Sequence, residues 1–230
     1  MQLRYPSVVL LALLAPAMPA SAHHPGVDLD EVLGSKDEYF QAIDKPAPHF
    51  VLRDTRGAAV MLDAFSDKVV ILHFVYAGCP DVCPLHAEKL AEVQAMINQS
   101  PMKDMVQFIS VTTDPANDTP EVLEAYGPAH GLDPANWTFL TTRPEQSEDG
   151  TRTLAEAFGH RFAKTDDGYQ THGVVTHVID RAGRWAANFH GLRFKSLNLV
   201  LYVNGLTNKA PSPPSVTPKP GWRERLKGLF

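Results

Sequence analysis

The chain has 230 residues, of which 44% are hydrophobic and 20% are charged, and its formal net charge is −5. This composition predicts one globular domain with tails. The negative balance argues against general nucleic-acid binding, and after the N-terminus no apolar run is long enough to span a bilayer.

The first 22 residues have the form of an export signal. Arg4 precedes the apolar run 8–14, and Ala20-Ser21-Ala22 has the small-x-small pattern of a cleavage site. The alternative is an uncleaved signal that anchors the protein in a membrane. No cysteine precedes Cys79, which excludes a lipid-modified N-terminal cysteine. We therefore expect a periplasmic protein, in a compartment where a cysteine pair can be oxidised.

Residues 23–45 are polar and predict a lead-in to the domain. Cleavage after Ala22 would place His23 and His24 beside a free amine, a combination that can chelate Cu(II) or Ni(II). Exposed terminal histidines usually have no role, so the function of this pair stays open.

Residues 46–207 predict the folded domain. It opens with a hairpin formed by two apolar runs, 50–52 and 60–62. The run 69–76 predicts a buried strand, and apolar residues at helical spacing in 85–99 predict the next helix. The remaining strands are expected at 106–111, 137–140, 173–180 and 185–189, and the remaining helices at 118–121 onward, 151–158 and 194–203. This succession predicts an α/β thioredoxin-like fold, a central mixed sheet flanked by helices.

Two tail segments follow the domain. Residues 208–220 are rich in proline and predict an extended linker. Residues 221–230 place Trp222, Leu226 and Leu229 on one helical face, with basic side chains elsewhere. Such a basic amphipathic segment can contact an anionic membrane surface, and a tail without fixed structure is the alternative.

The only two cysteines, Cys79 and Cys83, lie where the buried strand passes into the helix. Pro84 lacks an amide hydrogen and fits the first turn of a helix, which places the helix start near Cys83. Unpaired amides and the positive end of the helix dipole should then favour thiolate at both sulfurs. Such a pair can form a redox-active disulfide or bind a soft metal ion. A purely stabilising disulfide is the weaker alternative, because so short a loop loses little entropy on closure.

A third ligand would distinguish metal binding from redox chemistry, since Cu(I) favours two thiolates with an imidazole. His73 lies inside the predicted core strand and should be a packed residue. His86 follows Cys83 by three residues on the same helix, so it can lie on the cysteine side. His172 precedes a strong strand, and in a thioredoxin-like sheet the loop entering that strand runs beside the cysteine turn. His172 is therefore the best candidate.

Three stretches together resemble the Sco (SenC) family. They are 74–84 with its Cys-x-x-x-Cys-Pro motif, 111–119, and His172 five residues before His177. The resemblance covers roughly residues 45–206 and implies a thioredoxin-like protein that binds copper, Cu(I) and/or Cu(II), and helps to mature the binuclear copper site of cytochrome c oxidase. Carried over to this chain, the copper ligands are Cys79, Cys83 and His172.

The chain departs from the family pattern near the histidine. The family's histidine usually follows an aspartate, where Thr171 stands here, and the preceding loop is one residue short. An aromatic residue is common at the position of His177. Asp81 and Asp114 match family positions; the first is a candidate outer-shell acceptor or helix cap, and the second a candidate turn residue.

The leading hypothesis is a metallochaperone whose partner is the copper-site subunit of cytochrome c oxidase or another copper protein. The main alternative is a thiol-disulfide oxidoreductase in which the Cys79 thiolate attacks a target disulfide and Cys83 resolves the mixed disulfide. A peroxide-reducing enzyme is disfavoured because no activating arginine motif lies near Cys79. A structural zinc site would need four protein ligands, Cys79, Cys83, His86 and His172.

Overall fold

The computed structural model describes residues 27–147, 149–164, 170–171 and 173–208. The expected signal peptide, His23 and His24, His172, the linker beyond Asn208 and the basic tail lie outside the described residues. Within the described ranges, no helix combines the length and apolar character needed to cross a bilayer.

The described chain alternates strands and helices. In order, the elements are α1 Val27–Lys36, β1 Phe40–Pro46, β2 Val51–Asp54, β3 Ala59–Met61, β4 Val69–Val75, α2 Val82–Asn98, β5 Val106–Thr112, α3 Pro120–Ala129, β6 Trp137–Thr141, α4 Gly150–Ala157, β7 Ala163–Lys164, β8 Gln170–Thr171, β9 Val175–Ile179, β10 Arg184–His190 and α5 Ser196–Thr207. The strands and helices predicted between residues 50 and 203 are confirmed, with ends shifted by a few residues.

Eight strands form one mixed sheet in the order β1-β10-β9-β4-β5-β6-β2-β3. The central strands β4, β5 and β6 are parallel, while β9 runs antiparallel to β4. The α2 helix connects β4 to β5, as a crossover between parallel strands requires. The α/β class predicted from the sequence is confirmed, and the predicted hairpin is β2 with β3 at one sheet edge.

The centre of the sheet is buried on both faces. All seven residues of β4 are buried, and so are all seven of β5. On one face Val69, Ile71 and Val75 join the core formed with α2 and α5. On the other face, Val70, Leu72 and Phe74 join the core that includes side chains of α4. Each such side chain contributes about 1.5–3 kcal/mol on burial, so the end of β4 is firmly placed.

The segment 27–45 differs from the predicted polar lead-in. It forms α1 and most of β1, which pairs antiparallel with β10 and places Phe40 opposite Phe189. Leu33 and Phe40 are buried in the core. Two widely spaced apolar anchors in a polar stretch have no helical or alternating period, which is why the sequence pattern did not predict these elements.

Candidate metal centre

The cysteine turn, residues 76–83, follows directly from the end of β4. The Cys79 amide donates to the Tyr76 carbonyl at 3.1 Å, which tightens the turn. The α2 helix begins at Val82, so Cys83 and Pro84 lie in its first turn, as predicted from the proline. This arrangement brings the two sulfurs together, and the Cys83 thiol donates a hydrogen bond to Cys79.

The two cysteines are not joined in a disulfide, and their pKa values are shifted in opposite directions. Cys79 is half-buried, and this burial raises its pKa, but hydrogen bonds from the amides of Asp81, Cys83 and Val82 and from the Cys83 thiol outweigh the burial. The pKa of Cys79 therefore lies below its usual value. The exposed start of a helix stabilises this thiolate.

Cys83 is only 4% exposed, and burial raises its pKa to about 12 despite a hydrogen bond from the Tyr76 amide. The hydrogen bond to Cys79 and the negative charge there raise it further. The expectation that both sulfurs favour thiolate is therefore wrong for Cys83, because desolvation outweighs the helix start. In the metal-free pair, Cys79 is the more acidic sulfur and Cys83 keeps its proton at neutral pH.

A buried carboxylate in the loop between β5 and α3 supports the cysteine turn. Asp118, 2% exposed, accepts hydrogen bonds from the Ala77 amide at 3.1 Å and from the Thr112 hydroxyl at 2.5 Å. Burial raises the pKa of Asp118, although both hydrogen bonds lower it. Asp118 stands in the helix start expected at 118–121, but Thr119 is the residue that caps α3, by accepting from the Val122 amide. Because Thr119, directly after Asp118, can cap the helix by itself, the sequence did carry a signal that Asp118 has another role.

Tyr126 is a further buried polar group near the cysteines that sequence reasoning missed. Its hydroxyl has no hydrogen-bond partner among the described residues. Burial raises its pKa, and the charges of Cys83 and Cys79 raise it further. Its ring stacks at a tilt against His130, with centroids 4.3 Å apart. Tyr126 belongs to the same buried core as Cys83.

His86 belongs to a separate pair of buried histidines. Its Nε2 lies 2.8 Å from Thr176 Oγ1, and its ring meets His73 edge-on with centroids 4.8 Å apart. His73 in turn lies 2.6 Å from Ser110 Oγ, so it is the packed core residue that was expected. Among the described residues, no three or more His, Cys, Asp or Glu side chains form a group able to hold a metal. His86 therefore does not join the two cysteines in a metal site, and the four-ligand zinc alternative loses its third ligand.

His172 lies outside the described residues, but both chain segments beside it are described. Thr171, immediately before it, ends β8 and pairs with Ala163 of β7. After it, β9 runs from Val175 into the sheet centre, antiparallel to β4. Leu72 of β4 pairs with His177 of β9. Since the cysteine turn follows β4, the strand entered from His172 is the direct neighbour of the strand that leads to the cysteines.

Comparison with known proteins agrees with this architecture. The SCO1/SenC family model matches residues 41–196. The chain belongs to the SCO1/SenC family. The SCO2-like protein RP587 of Rickettsia prowazekii is 29% identical over 143 residues, which cover 61% of this chain and 67% of that protein.

Two solved Sco structures share the thioredoxin-like fold of this chain. BsSco, described as a Sco-family cytochrome c oxidase assembly protein with a disulfide switch, matches at a TM-score of 0.63 and 21% identity, over 74% of this chain and 98% of that one. Yeast Sco1 with copper bound matches at a TM-score of 0.62 and 21% identity, over 78% and 98%. At these identities the likeness establishes the fold.

The aspartates that match the Sco/SenC pattern have different surroundings. Asp81 precedes α2 but makes no side-chain cap hydrogen bond. Asp114 accepts from the Asn117 side chain at 2.9 Å, and its carbonyl accepts from the Asp118 amide, so it is a turn residue as expected. The inward-facing carboxylate at this edge of the site is Asp118.

Proposed function

We propose that this chain is a periplasmic copper chaperone that binds one copper ion through the thiolates of Cys79 and Cys83 and the imidazole of His172. Its proposed role is to help mature the copper site of cytochrome c oxidase. Membership of the SCO1/SenC family supports this role, as do the oxidase-assembly role ascribed to BsSco and the copper bound by yeast Sco1.

The observation that carries the proposal is the hydrogen-bonded cysteine pair at the start of α2. Two sulfur ligands this close are a good match for a soft ion such as Cu(I). The proton retained by Cys83, whose pKa is about 12, reflects the cost of a second buried negative charge. A bound copper cation removes that cost by taking the place of the proton, so copper binding should release the Cys83 proton at neutral pH.

The exposure of the two cysteines fits a metal ion that is passed to a partner better than one that is bound permanently. Cys83 is buried, but Cys79 is half-buried and open to a second protein. A partner thiolate can therefore reach a copper ion bound by Cys79 and replace the ligands one at a time. Transfer by ligand exchange needs no net oxidation or reduction.

The difference in exposure and pKa between the two cysteines also favours the alternative function, a thiol-disulfide oxidoreductase. Cys79 is the accessible and more acidic sulfur, which suits attack on a disulfide, and the buried Cys83 suits the resolving step. In that reaction the target disulfide gains two electrons and two protons and becomes two thiols, while Cys79 and Cys83 become a disulfide. Copper and the disulfide exclude each other on one cysteine pair, so each state of the pair serves one function.

The segments outside the described residues complete the proposal. Residues 1–22 would export the protein, and the linker 208–220 would carry the tail 221–230 to an anionic membrane surface. Deleting 221–230 should reduce binding to anionic vesicles several-fold and leave copper affinity unchanged, because each basic side chain near such a surface contributes about 1 kcal/mol. Equal vesicle binding by the full and shortened chains would contradict the membrane contact.

The test of the main proposal is the metal content of reduced protein prepared anaerobically with copper and zinc both present. We expect one copper per chain, no retained zinc, and transfer of the copper to a metal-free copper-site domain of cytochrome c oxidase. Cys79→Ser should abolish both binding and transfer. Retention of zinc, or disulfide reduction by a chain that binds no copper, would contradict the chaperone role.

A further inference from the structure

The start of α2 is capped by a sulfur atom. Asp81 stands at the N-cap position, yet its side chain makes no cap hydrogen bond. The amides of Asp81, Val82 and Cys83 donate to the sulfur of Cys79 instead. Pro84, in the same turn, has no amide hydrogen to donate. The Cys79 sulfur is therefore the acceptor that caps the helix on which Cys83 lies.

This cap depends on the chemical state of the sulfur. A thiolate accepts charge-assisted hydrogen bonds, which are roughly twice as strong as neutral ones. When the Cys79 sulfur binds a copper ion or forms a disulfide, it shares its negative charge and becomes a weaker acceptor. Because helix ends fray first, the turn that contains Cys83 then needs a second attachment to the rest of the domain.

His86, one turn further along α2, supplies such an attachment. Its Nε2 lies 2.8 Å from Oγ1 of Thr176 in β9. His86 follows Cys83 by three residues, a spacing that places two side chains on the same face of a helix, and both are buried. The core on this side of the sheet contains Cys83 and Val178, and Val178 lies on the same face of β9 as Thr176. The hydrogen bond therefore joins the helix face that carries Cys83 to the sheet.

The His86 ring is also held from β4. It meets His73 edge-on, with ring centroids 4.8 Å apart. His73 Nε2 in turn lies 2.6 Å from Ser110 Oγ, which accepts a hydrogen bond from Trp137 Nε1 at 2.9 Å. His86 is 3% exposed and Thr176 is fully buried, and a buried polar atom that loses its partner is strongly disfavoured. The bond between them should therefore persist whatever the state of the sulfur that caps the helix.

We propose that His86 is a positioning residue for the metal site, whose hydrogen bond to Thr176 holds Cys83 in place while the Cys79 sulfur takes up copper or passes it on. His86 is not a ligand, and it acts through the first two turns of α2. The inference rests on the proposed function, because Cys83 must bind copper for its position to matter. It gives the two cysteines different tasks: Cys83 stays fixed to the domain, and Cys79 exchanges partners.

The first test measures alkylation of each cysteine in the reduced, metal-free protein by mass spectrometry. Thr176→Val keeps the shape of the side chain but removes the hydroxyl group, and His86→Phe removes both ring nitrogens. Each change should speed the labelling of Cys83 about threefold to tenfold, the equivalent of one hydrogen bond, because the first turn of α2 opens more often. Labelling of Cys79, which is already accessible, should change little. Unchanged labelling of Cys83 in both variants would overturn the positioning role.

Matched variants separate positioning from general loss of stability. His86→Gln and Thr176→Ser each keep a group that can form the bond, so Cys83 labelling should stay near that of the unmodified chain. Ile97→Val lies near the far end of α2, is fully buried, and lowers stability about as much as the loss of one hydrogen bond. It should leave Cys83 labelling unchanged. If Ile97→Val sped this labelling as much as Thr176→Val, the effect would be structural and the inference would be wrong.

A double-mutant cycle tests whether the two residues act as one unit. Since either change alone breaks the bond, the chain with both His86→Phe and Thr176→Val should label Cys83 about as fast as the faster single variant. Effects that multiply would show that the two residues act independently, and would overturn the inference.

Cu(I) affinity, measured by competition with a chromogenic chelator, connects the bond to the metal site. Thr176→Val and His86→Phe should each weaken Cu(I) binding about threefold to tenfold, because Cys83 is in its binding position for a smaller fraction of the time. Faster labelling of Cys83 without weaker Cu(I) binding would mean that the bond serves the helix alone, and would overturn the proposal. If neither labelling nor affinity changes while the parent binds copper, the positioning role is wrong and the ligand set stands. If the parent binds no copper through its cysteines, the proposed function fails and the positioning role falls with it.

Discussion

The cysteine turn is built from consecutive residues at the end of one buried strand, whereas the buried histidines His160 and His177 are held by side chains far apart in the sequence. Between Tyr76 and Cys83, the hydrogen bonds to the two sulfurs come from amides within the turn and from the cysteines themselves. His160 contacts His177, and His177 in turn contacts Asn188, which accepts from Trp185 of β10. The acidity of the cysteines is therefore set mainly by neighbours in the sequence, while the histidines are held by contacts between distant parts of the chain.

The largest expected effect concerns the two sulfurs of the turn. At pH 8, alkylation of the reduced, metal-free protein should label Cys79 roughly a thousand times faster than Cys83, because Cys83 with a pKa of about 12 is almost entirely protonated. Mass spectrometry of the labelled peptides measures the two rates. Cys79→Ser is the control, in which Cys83 should stay slow. Equal labelling of the two sulfurs would show that burial does not separate their acidities.

Asp118 supports the turn from a distant part of the chain, and removing its carboxylate should have the next largest effect. Asp118→Ala leaves the donors of Ala77 and Thr112 without their common acceptor, so the free energy of unfolding should fall by about 3 kcal/mol. Asp118→Asn keeps an acceptor oxygen and should cost clearly less. Urea unfolding of the metal-free protein measures both. An Asp118→Ala chain as stable as its parent would mean that the turn needs no support from the loop after β5.

The buried His177 should make the free energy of unfolding depend on pH. The folded pKa of His177 is lowered by burial first and then by the charge of His160, whereas in the unfolded chain it is near 6.5. Between these values the unfolded state binds more protons, so the free energy of unfolding rises with pH and falls as pH drops below 6.5. The expected loss from His177 is about 1 kcal/mol between pH 6.5 and pH 5.5.

The matched variant for this prediction is His177→Phe. Its unfolding free energy should depend less steeply on pH between 7 and 5.5, because one titrating group is removed. Part of the slope remains, since burial also lowers the pKa of His190. Identical slopes in the two proteins, measured by urea unfolding across this range, would show that His177 is not kept neutral by its surroundings.

Much of the fold could be predicted from the sequence because its signals are local. The apolar run 69–75 predicted the central strand, and Pro84 predicted the start of α2 beside the cysteines. Two apolar anchors, Leu33 and Phe40, are too few to predict α1 and β1. Their burial depends on β10 and α5, which lie more than 140 residues later.

The site could be predicted as far as its residue types, but not in its interactions. The cysteine spacing indicated the pair, yet the high pKa of Cys83 depends on packing that no spacing reveals. The contacts of Asp118 with Ala77 and of His160 with His177 also escaped prediction, because each joins elements that are separate in the sequence. A histidine in an apolar strand predicts burial, but it does not identify the partner that satisfies it.

The central claim is that copper is held by Cys79, Cys83 and His172, and Cu(I) competition against a chromogenic chelator tests it most directly. Each cysteine-to-serine change should weaken binding most, since thiolates supply both softness and charge, and His172→Ala should weaken it clearly but less. His49→Ala, at a histidine whose side chain is 82% exposed, is the control and should change nothing. A His172→Ala chain that binds Cu(I) as tightly as the unmodified protein would contradict the account and favour thiol-disulfide exchange as the function of the cysteine pair.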